Sequence, residues 1–176
     1  MPQNALPTTP DDLFTILKEL NIDYKLHRHE AVFSVSEAEK VERDIKGAHC
    51  RNLFLRDKKK KMFLVTAQNE TKIDLKKLER RLACARISFG SPERLFQYLG
   101  VRPGSVCPFA IINDKDHEVR SILEEDMMNQ PLVAYHPLFN TMTIVLTPKD
   151  LIKFFEHINH TYEIVDLKCV RPEDKK

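Results

Sequence analysis

The sequence has no tryptophan and, in 176 residues, only four glycines and four cysteines. Cys50, Cys84, Cys107 and Cys169 show no CxxC spacing, which removes the usual thiol redox and zinc patterns. The first residues, MPQNALPTTPDD, lack a basic stretch followed by an apolar one, so reduced thiols and a cytoplasmic location are expected. No apolar run approaches the roughly 18 residues needed to span a bilayer. Net charge is scarce too: 28 Lys and Arg against 26 Asp and Glu leave +2. A nucleic-acid partner must therefore be argued from where the charge clusters. Neither GxxxxGK[ST] nor GxGxxG occurs, so nucleotide hydrolysis and dinucleotide binding have no support.

What is present is a 42% hydrophobic chain, long enough for one well-buried core. Residues 1–8 read as a flexible leader, 9–168 as one domain and 169–176 as a solvated tail. Thr9, Pro10 and Asp12 give a cap, an N1 proline and a first-turn acid, followed by Leu13, Phe14, Ile16, Leu17 and Leu20 at helical spacing. Tyr24 to Arg28 alternates as a short strand. Ser34 and Glu37 form a capping box with Phe33 placed to staple it. A hairpin is expected over about residues 50–67, turning at Lys58, Lys59, Lys60 and Lys61. Asp74 caps a helix striped by Leu75, Leu78 and Leu82. Ile87–Phe89 reads as a brief strand, and Ser91-Pro92-Glu93 starts a helix that ends before a C-cap at Gly100. Pro108 to Asn113 reads as a buried strand forming a second hairpin with Val119 to Leu123. Residues 132–137 and 141–146 flank a turn, Thr147 to Asp150 starts a last helix, and Tyr162 to Leu167 adds a strand. The pattern is α+β: a single domain with a mixed, largely antiparallel sheet and helices packed around it.

Several constellations carry chemistry. Cys107 and His136 could pair as thiol and base, but neither lies in a local signature, and a buried structural cysteine is the simpler reading. His157 and His160 have metal-ligand spacing without a neighbouring acid or thiol, which fits a helix C-terminal dipole contact better. Lys58 to Lys61 fits a solvated turn. Taken with Lys72, Lys76, Lys77, Arg80 and Arg81, it also fits a phosphate-contacting edge. In Gly104-Ser105-Val106-Cys107-Pro108 the glycine lets backbone amides converge and the proline fixes entry into the next element, as a carbonyl-holding site requires. An ordinary turn fits equally. His136-Pro137 with Asn140-Thr141 is a second polar cluster.

The segments GAHCRNLFLRDKKKKMFLV, IDLKKL, ISFGSPERL, LGVRPGSVCPFAIIND, YHPLFNTMTIVLTPKDLIKF and YEIVDL occur in order between Gly47 and Leu167, within a likeness that runs from about Leu13 to Leu167. Together they resemble the freestanding prolyl-tRNA editing proteins, which are similar to the insertion editing domain of bacterial prolyl-tRNA synthetases. The resemblance implies a trans-acting deacylase that hydrolyses mischarged tRNA(Pro), with alanine as the leading aminoacyl group and cysteine as an alternative. It implies no metal or organic cofactor. It also implies tRNA as partner through the acceptor end, with a prolyl-tRNA synthetase as a candidate second partner; the lack of a long apolar run predicts no membrane partner, and the lack of an evident exposed apolar stripe predicts a monomer.

By that resemblance the amides around Gly104, Ser105, Cys107 and Pro108 hold the aminoacyl carbonyl and Asn52 supplies a hydrogen bond. His136 shapes the pocket or orients the terminal nucleotide, and the substrate's own ribose hydroxyl assists. His49 lines the site, Phe33 and Phe109 limit the side-chain pocket, and Lys58 to Lys61, Lys76, Lys77 and Arg80 meet tRNA. Where the family usually has lysine this chain has Arg51, a planar and bulkier fork. Arg51 can bind the phosphate or ribose of the terminal adenosine, or it can lower activity or change the substrate. Two other readings follow: a noncatalytic tRNA-binding module, and a hydrolase of small esters or thioesters.

Overall fold

The computed structural model describes residues 6–168. Six helices, α1 (Pro10–Glu19), α2 (Val35–Glu42), α3 (Leu75–Arg81), α4 (Pro92–Leu99), α5 (Glu125–Met128) and α6 (Pro148–His157), surround eight strands. The strands are β1 (Lys25–Arg28), β2 (Ala48–Asp57), β3 (Met62–Gln68), β4 (Ile87–Phe89), β5 (Val119–Glu124), β6 (Val133–Tyr135), β7 (Met142–Leu146) and β8 (Glu163–Val165). They lie in the order β1-β7-β6-β2-β3-β5-β8, with β4 joined to β2. The pairs β1/β7, β6/β7, β2/β3 and β2/β4 are antiparallel, while β2/β6, β3/β5 and β5/β8 are parallel. The sheet is mixed with an antiparallel majority, and the domain is α+β.

Side chains start the helices where the sequence places them. Thr9 and Ser34 each close a capping box, Asp74, Ser91 and Thr147 accept from the third helical amide, and Gly100 ends α4 at φ 62°. Each cap satisfies a backbone donor that would otherwise lack a partner at the helix start. Phe33, expected as a staple, is instead 78% exposed.

Two expectations need correction. Pro108–Asn113 is a 3-10 turn, not a strand. A short apolar run looks alike as buried strand or buried helical turn, and here Pro108 occupies the first turn position, where its missing N–H costs nothing. The second hairpin is therefore absent, and β5 pairs instead in parallel with β3, Met62 opposite Val119 through Thr66 opposite Leu123. Residues 6–8, expected as part of a flexible leader, pack on the domain. Leu6 is buried, and the Thr8 hydroxyl donates to Asn113 Oδ1 at 2.6 Å. Residues 1–5 and the tail 169–176 lie outside the described residues.

One face of the sheet carries the main core, where Phe109 packs edge-on against Tyr135 and Phe154 at 5.8 and 5.2 Å. Under α3, Leu78 and Leu82 meet Leu55, Phe63, Val65 and Ile122. A third, small cluster decides where the site forms: Val41 and Ile45, in and just beyond α2, seat on Ala134 and Val145 of β6 and β7.

Candidate active site

Val41 and Ile45 seat α2 and the residues after it on the sheet, and a space lies beside that contact. It is a cavity of about 230 Å³. Val32, Ala38, Val41 and Glu42 form one wall, His49, Cys50 and Asn52 of β2 another, and Ala134, Tyr135, His136 and Thr143 the floor. Gly104 and Val106 close the remaining side. The cavity opens into a broader groove of about 710 Å³ lined by Phe33, Ser34, Glu39, Arg51, Asn69, Glu70 and Pro103, with Val32, Ala38, Glu42, Cys50, Gly104 and His136 shared between the two.

The polar groups are held in fixed orientations. Asn52 lies opposite Thr66 across β2/β3, and the Thr66 hydroxyl donates to Asn52 Oδ1 at 2.8 Å, which leaves Asn52 Nδ2 as a donor on the cavity wall. Carbonyl oxygens only accept, so they fix the histidine tautomers. His136 Nδ1–H donates to the Met142 carbonyl at 2.7 Å, leaving its Nε2 lone pair available. His29 Nδ1–H donates to the Glu30 carbonyl, and its Nε2 accepts from the Thr143 hydroxyl at 2.9 Å. His49 Nε2–H donates to the Ile45 carbonyl at 2.8 Å, with Nδ1 4.0 Å from Glu42 Oε1. Burial holds the His136 pKa below the ordinary histidine value; His29 and His49 act in the same direction and the Met142 carbonyl opposes them. Near neutral pH His136 is therefore an uncharged imidazole that can accept a proton.

Gly104 adopts φ +87°, where an L side chain is strained. A Cβ there would lie 3.3 Å from Asn140 Nδ2 and 3.8 Å from the Phe33 ring. Asn140 Nδ2 in turn donates to the Val32 carbonyl at 3.3 Å and ties the β6–β7 turn to the β1–α2 connection. The Ser105 amide is used within the loop, donating to Arg102. Among the described residues the Gly104 and Val106 amides have no protein partner. Both residues line the cavity.

The expected site residues divide. Asn52, Gly104, His136 and His49 line the cavity. Arg51 is exposed in the groove, with Phe33 beside it. Ser105, Cys107, Pro108 and Phe109 are buried and line neither space; the 3-10 turn directs Phe109 into the core, so Phe109 does not limit the pocket. Val32, Ala38 and Val41 line it instead. Burial pushes the Cys107 thiol up to about 11 and the Cys50 thiol further still, so neither is a thiolate nucleophile near neutral pH. The lysine turn lies at the other end of β2, about 23 Å from Arg51 at the usual strand rise, and Lys76, Lys77 and Arg80 belong to α3 on the smaller core. Glu42, His29, Thr66 and Thr143 carry no local signal in the sequence; only the strand register and the seating of α2 bring them together. Among the described residues no three His, Cys, Asp or Glu side chains converge as metal ligands, and no helix is long and apolar enough to cross a membrane.

A family model for the aminoacyl-tRNA editing domain matches residues 29–154. The chain is 36% identical over 152 residues to the prolyl-tRNA editing protein ProX of Acetoanaerobium sticklandii, covering 86% of this chain and 93% of that one. It is 33% identical over 152 residues to the prolyl-tRNA synthetase associated domain-containing protein 1 of Danio rerio, covering 85% and 83%. A solved structure assigned as a candidate trans-editing enzyme for prolyl tRNA synthetase superposes with a TM-score of 0.66 at 18% identity, covering 89% of this chain and 96% of that one.

Proposed function

Given that this chain belongs to the aminoacyl-tRNA editing domain family, we propose that it is a trans-acting deacylase of mischarged tRNA(Pro), with alanine the aminoacyl group removed. The observation that carries the reading is one cavity holding the unengaged Asn52 amide, the open Gly104 and Val106 amides and the uncharged His136, with no thiolate. An aminoacyl ester is already activated, so its hydrolysis depends on a placed water and a stabilised oxyanion more than on a protein nucleophile. The Gly104 loop and Asn52 hold the ester carbonyl. His136 Nε2 accepts a hydrogen bond from the attacking water or from the ribose hydroxyl beside the ester. The terminal nucleotide lies along the groove, where Arg51 meets phosphate or ribose and Phe33 offers an aromatic face.

Selection for alanine is steric. Val32, Ala38 and Val41 bound the space left for the side chain, and a wall refuses a larger group better than a smaller one. Lys58 to Lys61 and the basic residues of α3 contact phosphates farther along the tRNA, positioning it without reading sequence. The test is a panel of Ala-, Cys- and Pro-tRNA(Pro) incubated with purified protein. Alanyl ester should disappear fastest and prolyl ester at about the uncatalysed rate. No acceleration with any of the three refutes the deacylase reading, and faster loss of cysteine than of alanine reassigns the substrate.

A further inference from the structure

An aminoacyl ester differs from other esters in its α-ammonium group, and the cavity contains a single group suited to it. Glu42 is the only carboxylate among the residues lining the cavity, and no lysine or arginine lines it. Its side chain is 30% exposed, and Oε1 accepts from Asn69 Nδ2 at 2.9 Å. Among the described residues no hydrogen bond to Oε2 is made. The Asn69 contact fixes the carboxylate, and the last turn of α2 holds it on the wall formed by Ala38 and Val41. Asn52 and the Gly104 loop, the groups that hold the carbonyl, line other sides of the same 230 Å³ space. In the substrate the amine is on the carbon next to that carbonyl, so the two groups call for partners lining one small space. Near neutral pH a substantial share of such amines is protonated, and a charge-assisted bond to carboxylate is among the stronger polar contacts.

Resting on the deacylase reading, we propose that Glu42 is the receptor for the substrate's α-ammonium group and makes the enzyme selective for esters with a free amine. Alanyl and prolyl esters both carry that charge, so Glu42 defines the aminoacyl class while Val32, Ala38 and Val41 limit side-chain size. Esters whose nitrogen is acylated, peptidyl-tRNA included, present no cation to Glu42 and are spared. The pocket is thereby prevented from hydrolysing growing chains.

The probe is lactyl-tRNA(Pro), made by deaminating Ala-tRNA(Pro), in which a hydroxyl of similar size replaces the ammonium. Single-turnover rates, each divided by the uncatalysed rate of the same ester, remove the amine's own activation of the ester. Wild type should accelerate alanyl over lactyl ester by tenfold or more. Glu42→Gln keeps an acceptor for Asn69, and it should lower the alanyl rate about tenfold while leaving the lactyl rate within about twofold, so that the preference collapses. Equal acceleration of both esters by wild type, or an equal loss on both in Glu42→Gln, overturns the Glu42 assignment while leaving the deacylase reading standing. Acceleration of neither ester overturns both. Should Glu42→Gln melt well below wild type, the alanyl-to-lactyl ratio of wild type decides alone.

Discussion

Replacing His160 by glutamine tests the most polar contact in the core. His160 follows α6, and its Nε2 lies 2.9 Å from Asp114 Oδ2, both side chains 2% exposed. Its Nδ1 lies 2.8 Å from the Thr161 carbonyl. A carbonyl and a carboxylate both accept, so both ring nitrogens carry protons and the folded state holds an imidazolium. Burial opposes that charge, but the bonds to Asp114 and Thr161 outweigh it and raise the pKa above the ordinary 6.5. Burial likewise works to raise the Asp114 pKa, but His160 and the Val119 and Glu118 amides, at 2.8 and 3.0 Å, hold it below 3.8. A raised histidine stabilises fully below 6.5, and its contribution is lost as pH rises through the folded value. A depressed carboxylate stabilises above 3.8, and its contribution is lost as pH falls through the folded value. The pair therefore contributes most between these two pH values. Removing one partner of a buried pair costs about 3–5 kcal/mol. His160→Gln should approach that loss in urea unfolding at pH 5.5 and lose clearly less at pH 8.5, where wild type has given up part of the contribution. A loss equal at both pH values would show that His160 is not charged in the fold.

Asn52→Ala removes a proposed oxyanion donor and should lower kcat on Ala-tRNA(Pro) by about 10²–10³, measured by single turnover; a loss under threefold excludes the role. Val41→Ala widens the cavity beside Ala38 and should raise the rate on Pro-tRNA(Pro) relative to alanyl ester, whereas an unchanged ratio places the limiting wall elsewhere. Iodoacetamide at pH 7.5 should leave deacylation intact, since burial raises both the Cys50 and Cys107 thiols; rapid inactivation tracking Cys50 labelling would contradict it. Arg51→Ala should raise KM for tRNA several-fold with little change in kcat, and a loss confined to kcat would instead put Arg51 at the reacting atoms.

How far the sequence carries depends on the range of the interaction that decides each element. Caps act over three residues, so Thr9, Ser34, Asp74, Ser91 and Thr147 could be read directly. The β2/β3 hairpin closes over a short turn and is equally legible. The parallel pairings β3/β5 and β2/β6 join residues more than fifty positions apart, and nothing local specifies them, so the local pattern of Pro108–Asn113 suggests a strand partner for β5 that the fold does not use. The same limit applies to polar pairs. The spacing of His157 and His160 offers no acid nearby, yet the acid is Asp114, 46 positions earlier. Glu42 and Asn69 meet across 27 positions for the same reason. Asn52, Gly104 and His136 could be anticipated from a family resemblance, whereas the wall that would limit the aminoacyl group could not, because it depends on how Val41 and Ile45 seat a short helix.

That seating also bears on Arg51, which stands where the resemblance leads to an expectation of lysine. In an enclosed cavity a planar guanidinium would compete for space with the aminoacyl group, and the exchange would predict a damaged or altered enzyme. Arg51 is instead exposed in the outer groove, whose volume of about 710 Å³ is three times that of the cavity. Its neighbours along β2 point to different destinations: Asn52 is locked to Thr66 on the cavity wall, and Arg51 faces solvent beside Glu70. Strand alternation places adjacent residues on opposite sides, so the extra bulk at position 51 falls where a nucleotide backbone can use a bidentate donor. Under the proposed function, the arginine therefore fits a change in how the end of the tRNA is gripped, away from the groups proposed to act on the ester.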